Sequence, residues 1–403
     1  MTFDVSAVRA LYPALADGHA YLDGAAGTQV PVTVINAIAD AYRAGIGNLG
    51  GAFPASHRSD AIVEQARAAV ADLVGGAPDG IVFGPSATAL AYRFSEALSR
   101  TWTTDDEIVV SRLDHDSNIR PWIQAAGRVG ALVRWAEFDL TTGELPAAQY
   151  AELVGPRTRL VAVTAASNAI GTRPDVAAIA GYAHEVGALC YVDGVHATPH
   201  VPVDIAALGA DFYATSAYKW SGPHVAALAA DPALLETVWP DKLAPSSNAV
   251  PWRFERGTLP FADLAGVTAA VDHLADLTGP VAGATRRERL LASMAAVEAH
   301  EAALFARLTD GLAKLGTDIT LYGKAARRAP TAFFNVGAVE PAAVAAHLAA
   351  QGVNVWDGDN YAYELCQVLG LGSEGAVRAG IVHYNDDSDV DRLLAGVAEM
   401  TAG

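Results

Sequence analysis

The sequence predicts an α/β protein: a mostly parallel sheet with helices on both faces, followed by a smaller α+β C-terminal domain. Three observations carry this. Between residues 81 and 215, short apolar runs alternate with helical patterns, which is how a parallel sheet covered on both faces reads in sequence. A long Ala/Leu-rich helical stretch, Glu288 to Leu315, then separates that region from a second group of strands and helices. Finally, 403 residues at 52% hydrophobic content are enough to fill the cores of two domains.

The elements follow in order. Residues 1–20 read as a short helix and arm ending near Gly18, expected to pack with the small domain. Pro31 to Ala44 is an amphipathic helix with proline in its first turn, and Ser59 to Val74 is a helix closed by Gly75-Gly76. Strands are expected at Ile81-Val-Phe, Ile108-Val-Val, Leu132-Val-Arg-Trp, Leu160-Val-Ala-Val, Ala188-Leu-Cys-Tyr-Val and Phe212-Tyr-Ala-Thr. Helices lie between them at about Ala87–Ser99, Asn118–Val129, Ala147–Leu153 and Val176–Val186. After the long helix come Ala332-Phe-Phe-Asn-Val336, a helix Pro341–Gln351, Val353-Asn-Val-Trp356, a helix Tyr363–Leu369 and the strand Val377 to His383. This divides the chain into the arm, a large domain at 21–285 and a small domain at 286–403.

Composition excludes several classes. Net charge is −18 and no Lys/Arg run exceeds a pair, which argues against nucleic acid and anionic membrane as partners. The two cysteines, Cys190 and Cys366, form neither a disulfide framework nor a CxxC metal site, so a reducing, cytoplasmic setting is expected. No signal peptide or membrane span is read. Gly45-Ile-Gly-Asn-Leu-Gly50 and Gly370 to Gly375 match GxGxxG. Both follow a helix, whereas a dinucleotide fingerprint follows a strand, so both read as loops.

The chemistry concentrates at strand ends. The run Phe212 to Thr215 delivers Lys219 beside Trp220 and into a Gly-Pro turn. A lysine there either packs its stem on the indole with its head in water, or serves as a desolvated amine able to form a Schiff base. Tyr191-Val-Asp-Gly-Val-His196 favours the second, because it presents Asp193 at a neighbouring strand end. A lysine to hold an aldehyde and a buried carboxylate to pair with a pyridinium nitrogen are what pyridoxal phosphate (PLP) requires. Phe83-Gly-Pro-Ser-Ala-Thr88 lies between a strand and a helix, where amides and a hydroxyl can hold an anion. Asp114, His115 and Asp116 are consecutive and point in different directions, so they do not form a metal site.

From Tyr21-Leu-Asp-Gly-Ala-Ala26 to Val377-Arg-Ala-Gly-Ile381 the chain resembles the class V, fold-type-I PLP enzymes, within them the cysteine desulfurase-like branch. The resemblance implies PLP as cofactor and Lys219 as its catalytic attachment point. It also implies that His115 stacks on the pyridine ring and moves protons, a match carried by His115, Asn118, Pro121 and Trp122. Ala87, Thr88, Ser216 and Tyr218 fall where relatives hold the phosphate, Tyr218 replacing a histidine. Asn168 and His196 fall beside the cofactor's phenolic oxygen, and Asp193 beside its ring nitrogen. Thr258, in Phe254-Glu-Arg-Gly-Thr258, matches a loop that reaches the neighbouring subunit's phosphate, which implies a homodimer with a shared active site. Arg378 matches the clamp for an α-amino-acid carboxylate.

The pattern departs from the desulfurases at one place. Their nucleophilic loop cysteine aligns with Tyr361, and Cys366 lies five residues later in a helix. Trp356, Tyr361 and Tyr363 read either as the lining of a substrate pocket or as residues that simply pack. The implied activity is a Cβ–X, and first a C–S, lyase without the loop cysteine; an aminotransferase or epimerase is the alternative. A non-catalytic scaffold or regulator is the reading from another class. It would lack Lys219 or Asp193, or carry a basic DNA-binding segment, and this sequence does neither.

Overall fold

The computed structural model describes residues 3–279 and 281–401. Strand β1 (Ala20–Tyr21) precedes a seven-stranded sheet made of β2 (Ile81–Gly84), β3 (Glu107–Ser111), β4 (Leu132–Ala136), β5 (Thr158–Thr164), β6 (Leu189–Asp193), β7 (Phe212–Ser216) and β8 (Ala226–Ala230). Their order is β2-β8-β7-β6-β5-β3-β4. The pairs from β7 through β6, β5 and β3 to β4 are parallel, whereas β8 runs antiparallel to both β2 and β7. The sheet is therefore mostly parallel, as the sequence predicts.

Sequence reading misses β8. Its residues, Ala-Ala-Leu-Ala-Ala, carry no β-branched or aromatic signal, yet every one is buried between the helical layers. Small side chains let helices approach this part of the sheet from both faces. The helix Phe261–Ala275 is missed too; it packs against Val32–Ala44 and Pro54–Val74. The helix expected from Ser59 begins at Pro54, whose missing N–H costs nothing in a first turn, and Gly75 at φ 74° closes it.

The C-terminal layer is a three-stranded antiparallel sheet, β9 (Ile319–Tyr322), β10 (Thr331–Val336) and β12 (Val377–Gly380), ordered β12-β10-β9. A short strand between them, β11 (Val353–Asn354), pairs with β1. The long helix starts at Arg286 because Thr285 and Glu288 form a capping box. Its Leu304, Leu308 and Leu312, one face at i+4 spacing, pack with Phe334, Val336, Val390 and Leu393. Ala20 and Leu22 join the same core. The strand expected over Val377–His383 stops at Gly380. There a Cβ would come 2.6 Å from Ala25, and the Gly380 N–H is taken by Leu22 O at 2.7 Å. The chain leaves the ladder to pass the N-terminal segment.

A buried ion pair ties the large sheet to the loop that leads to Thr258. Arg67, on the helix Pro54–Val74, donates to both Glu255 oxygens at 3.0 and 2.8 Å, and the Phe83 amide donates to Glu255 at 2.8 Å. Both side chains are at most 5% exposed. Arg67→Met leaves Glu255 buried without its cation and is expected to destabilise the fold by about 3–5 kcal/mol in denaturant unfolding. A loss below about 1 kcal/mol would show that the carboxylate finds other partners.

Candidate active site

Because the central strands are parallel, their carboxyl ends share one edge, and each delivers a polar group there. β3 leads to Asp114 and His115, β5 to Asn168, β6 ends at Asp193, and β7 ends at Ser216 just before Lys219. Gly194 follows Asp193 because the Tyr213 ring fills the space a Cβ would need.

Lys219 is buried. Its amine donates to Ala25 O, and no carboxylate lies within ion-pair distance among the described residues. Burial, together with the Arg378 charge, pushes its pKa down to about 7, against the weaker pull of Asp193. Asp193 accepts from the Val195 amide at 2.9 Å, and burial raises its pKa.

The loop after β3 is braced at i+4 intervals. Asn118 Nδ2 donates to Asp114 at 2.6 Å, and Trp122 Nε1 donates to Asn118 Oδ1 at 3.1 Å. Ser111 also bonds Asp114, whose pKa burial raises to about 8. This frame holds His115. The Ser117 amide donates to His115 Nδ1 at 3.0 Å, so the ring proton sits on Nε2. Burial pushes the His115 pKa down to about 3, and the ring is neutral. It stacks on Tyr361 at 5.4 Å between centroids.

Arg378 enters from β12. It is buried, donates to Asn168 O at 3.1 Å, and burial lowers its pKa to about 10. Trp356 brackets it through paired backbone bonds of 3.2 and 2.6 Å. The loop beyond Trp356 is strained. Asn360 and Tyr361 take φ of 51° and 59°, a left-handed geometry costing about 1–2 kcal/mol per residue. Three bonds hold it: Asn168 Nδ2 to Asn360 O at 2.8 Å, the Asp116 amide to Tyr361 O at 2.8 Å, and the Tyr361 amide to Asp359 at 2.9 Å.

Two adjoining cavities result. The larger, about 820 Å³, is lined by His115, Asn168, Tyr218, Lys219, Trp356, Tyr361 and Arg378 among others. The smaller recess, about 60 Å³, is lined by Ala87, Thr88, Asp193, His196, Ser216 and Tyr218, with His115, Asn168 and Lys219 shared. The residues present fit PLP. Two buried atoms of residues lining the recess, Asn168 Oδ1 and His196 Nδ1, lack protein partners. Beside them stand a carboxylate for a ring nitrogen and an amine for an aldehyde. The helix Ala87–Leu98, capped by Ser86 at 3.1 Å, points its N-terminus at the recess with the Thr88 and Ser216 hydroxyls alongside.

Residues 20–393 match the family Aminotransferase class-V. The chain belongs to that family. It is 37% identical over 402 residues to an uncharacterized protein of Mycobacterium tuberculosis, covering 99% of this chain and 100% of that one. It is 33% identical to a cysteine desulfurase of Klebsiella pneumoniae, covering 99% of each. It superposes on the crystal structure of the cysteine desulfurase CsdA of Escherichia coli with a TM-score of 0.86, at 28% identity, covering 100% of this chain and 99% of that one. The fold is that of the fold-type-I PLP enzymes, and the chain is an enzyme of this PLP-dependent family.

Every site residue named from sequence lines one or both cavities except Thr258, which is exposed, and Tyr363. Sequence reading missed Ala25, whose carbonyl receives the lysine, and Ser117, which sets the His115 tautomer. It also missed Tyr92, one helical turn beyond Thr88 on the same face. The i+4 spacing was available for Tyr92; a backbone carbonyl leaves no signal. Tyr363 does not line the cavity and packs near Arg120 instead. Cys366 is buried outside both cavities, its thiol pKa pushed up to about 12 by burial.

In the cofactor-free protein the unprotonated fraction of Lys219 is expected to rise through pH about 7, not near the ordinary 10.5. Peptide-resolved labelling with an amine reagent across pH 5–10 checks this. A Lys219 labelling curve coincident with that of exposed Lys314 would contradict it.

Proposed function

We propose that this enzyme removes a substituent from Cβ of an α-amino acid, a C–S bond in the first instance, without forming a persulfide on itself. The observation that carries this reading is one cavity holding Lys219 and Arg378 whose flanking loop presents Tyr361 and no thiol. Both cysteines are buried elsewhere, and a thiol held protonated is a poor nucleophile.

Arg378 takes the substrate carboxylate through its planar fork, which fixes the α-carbon relative to Lys219. Lys219, with its pKa near 7, removes the α-proton as the neutral amine and returns it as the ammonium. His115 is neutral with its proton on Nε2 and can pass that proton to a departing group. Asp193 would keep the pyridine nitrogen of PLP protonated, Asn168 and His196 would bond its phenolic oxygen, and Ala87, Thr88, Ser216 and Tyr218 would hold its phosphate. When bound, PLP supplies an electron sink for the electrons left at the α-carbon. Trp356 and Tyr361 line the cavity and shape its side-chain end.

The reading includes a cytoplasmic homodimer in which Thr258 completes the phosphate site of the other copy. The exposure of Thr258 and its absence from either cavity of its own chain support this. It also includes the division into an arm at 1–20, a large domain at 21–285 and a small domain at 286–403.

The test begins with absorbance of the protein reconstituted with PLP, followed on adding L-cysteine, other β-substituted amino acids and L-alanine. A near-visible band absent from Lys219→Ala, with pyruvate and the β-substituent released, supports the lyase. Conversion to the aminated cofactor would mark an aminotransferase, and no band at all would defeat the reading. Cys366→Ala is expected to release the substituent within about twofold of wild type; loss of release would restore a persulfide route. Arg378→Lys is expected to lose about 2–5 kcal/mol in kcat/KM, mostly through KM, while the cofactor band persists.

A further inference from the structure

His196 is buried at the edge of the recess, on the turn after β6. Its Nε2 lies 2.9 Å from the Thr331 hydroxyl, and its Nδ1 has no protein partner. Thr331 is fully buried at the start of β10, opposite Gly380 of the strand that carries Arg378. The groups acting on the His196 ring are His200, Lys219, Arg378 and His115. Each disfavours a second ring proton, as does burial, so the ring is neutral and carries one N–H.

Two tautomers remain, and hydrogen-bond accounting separates them. If Nε2–H donates to Thr331, the threonine O–H has no acceptor among the described residues, and Nδ1 is a second buried group without a partner. If the threonine O–H donates to Nε2, the hydroxyl is satisfied. One N–H is then left over, on Nδ1, the nitrogen free to meet a ligand in the recess. Each unpaired buried group is costly, so the second arrangement wins.

The next layer supports it. His200 stands edge-to-face with His196 at 5.1 Å, and its Nδ1 lies 2.8 Å from Glu301 Oε2, both side chains 2% exposed. Burial raises the Glu301 pKa well above a carboxylate's and lowers that of His200 to about 3. The pair is uncharged, with the acid donating to the imidazole. It walls His196 from the neighbouring cavity, which Glu301 and His200 also line, without placing a charge beside it.

We propose that Thr331 is a positioning residue that sets the tautomer of His196, so that His196 presents an Nδ1–H donor to an anionic oxygen in the recess. The inference rests on the PLP reading for the identity of that oxygen, the phenolic one. The residue comes from the C-terminal layer, so the same strand pair that captures a substrate carboxylate through Arg378 also tunes the cofactor. A donor to the phenolate lowers the pH at which the bound cofactor deprotonates.

The experiment compares wild type, Thr331→Val and Thr331→Ser in two measurements. Histidine ¹⁵N NMR of the cofactor-free protein, with the His196 signals identified by their loss in His196→Gln, is expected to show the Nδ1–H tautomer in wild type and Thr331→Ser. Thr331→Val, which retains the shape and loses the donor, is expected to shift toward Nε2–H. In the reconstituted proteins, the pH midpoint of the cofactor band is expected to rise by about one unit in Thr331→Val and return toward wild type in Thr331→Ser. An Nε2–H tautomer in wild type overturns the proposal even if Thr331→Val does not fold. An unchanged tautomer in a folded Thr331→Val does so as well. Failure of wild type to bind PLP defeats the cofactor reading instead, and leaves the NMR result to decide the role of Thr331.

Discussion

Burying the Lys219 amine governs the rest of this site. An ammonium moved out of water costs several kcal/mol unless a counter-charge meets it, and the charges acting on this one are Arg378, which repels it, and Asp193, which attracts it more weakly. The structure resolves the cost by lowering the lysine's proton affinity and giving the remaining N–H a backbone acceptor, Ala25 O. That acceptor belongs to a segment pinned against Gly380, where only a glycine fits. A neutral amine in the right place is therefore a property of three distant stretches of chain at once.

The same desolvation acts throughout the pocket. His115, His196 and His200 are all kept neutral by burial, so each can be a directed donor or acceptor with one defined proton. Their neighbours choose the nitrogen: Ser117 for His115, Glu301 for His200, and Thr331 for His196 by the inference above. In a chain of net charge −18, an anionic cofactor gains nothing from the long-range field. At the recess a helix N-terminus and the Thr88 and Ser216 hydroxyls are what is available to an anion instead.

Relation to the desulfurases is close over the whole chain, and the departure is local. The segment Trp356–Tyr361 has a strand bridge to Arg378 and a strained turn, and puts an aromatic ring beside His115. A backbone held in a left-handed geometry by bonds from Asn168 and Asp116 is a precise way to aim one side chain. That side chain is a phenol, and it lines the larger cavity.

Much of this was legible in the sequence. Alternating apolar runs and helical patterns identify the parallel sheet, since strand and helix periodicities are local properties of the chain. The polar residues just after those runs are the site, because parallel strands must put their carboxyl ends on one edge. Alanine-rich β8 was not legible: its strand state comes from being sandwiched, which no local pattern records. Nor was the end of β12 at Gly380, set by contact with Ala25. Tertiary structure alone decided that Ala25 would receive the lysine, that Cys366 would sit outside the cavities, and that Thr331 would meet His196 across 135 residues. Sequence determines which groups are available and roughly where strands end. Protonation states and pairings depend on burial and on distances between remote segments, and those exist only once the chain is folded.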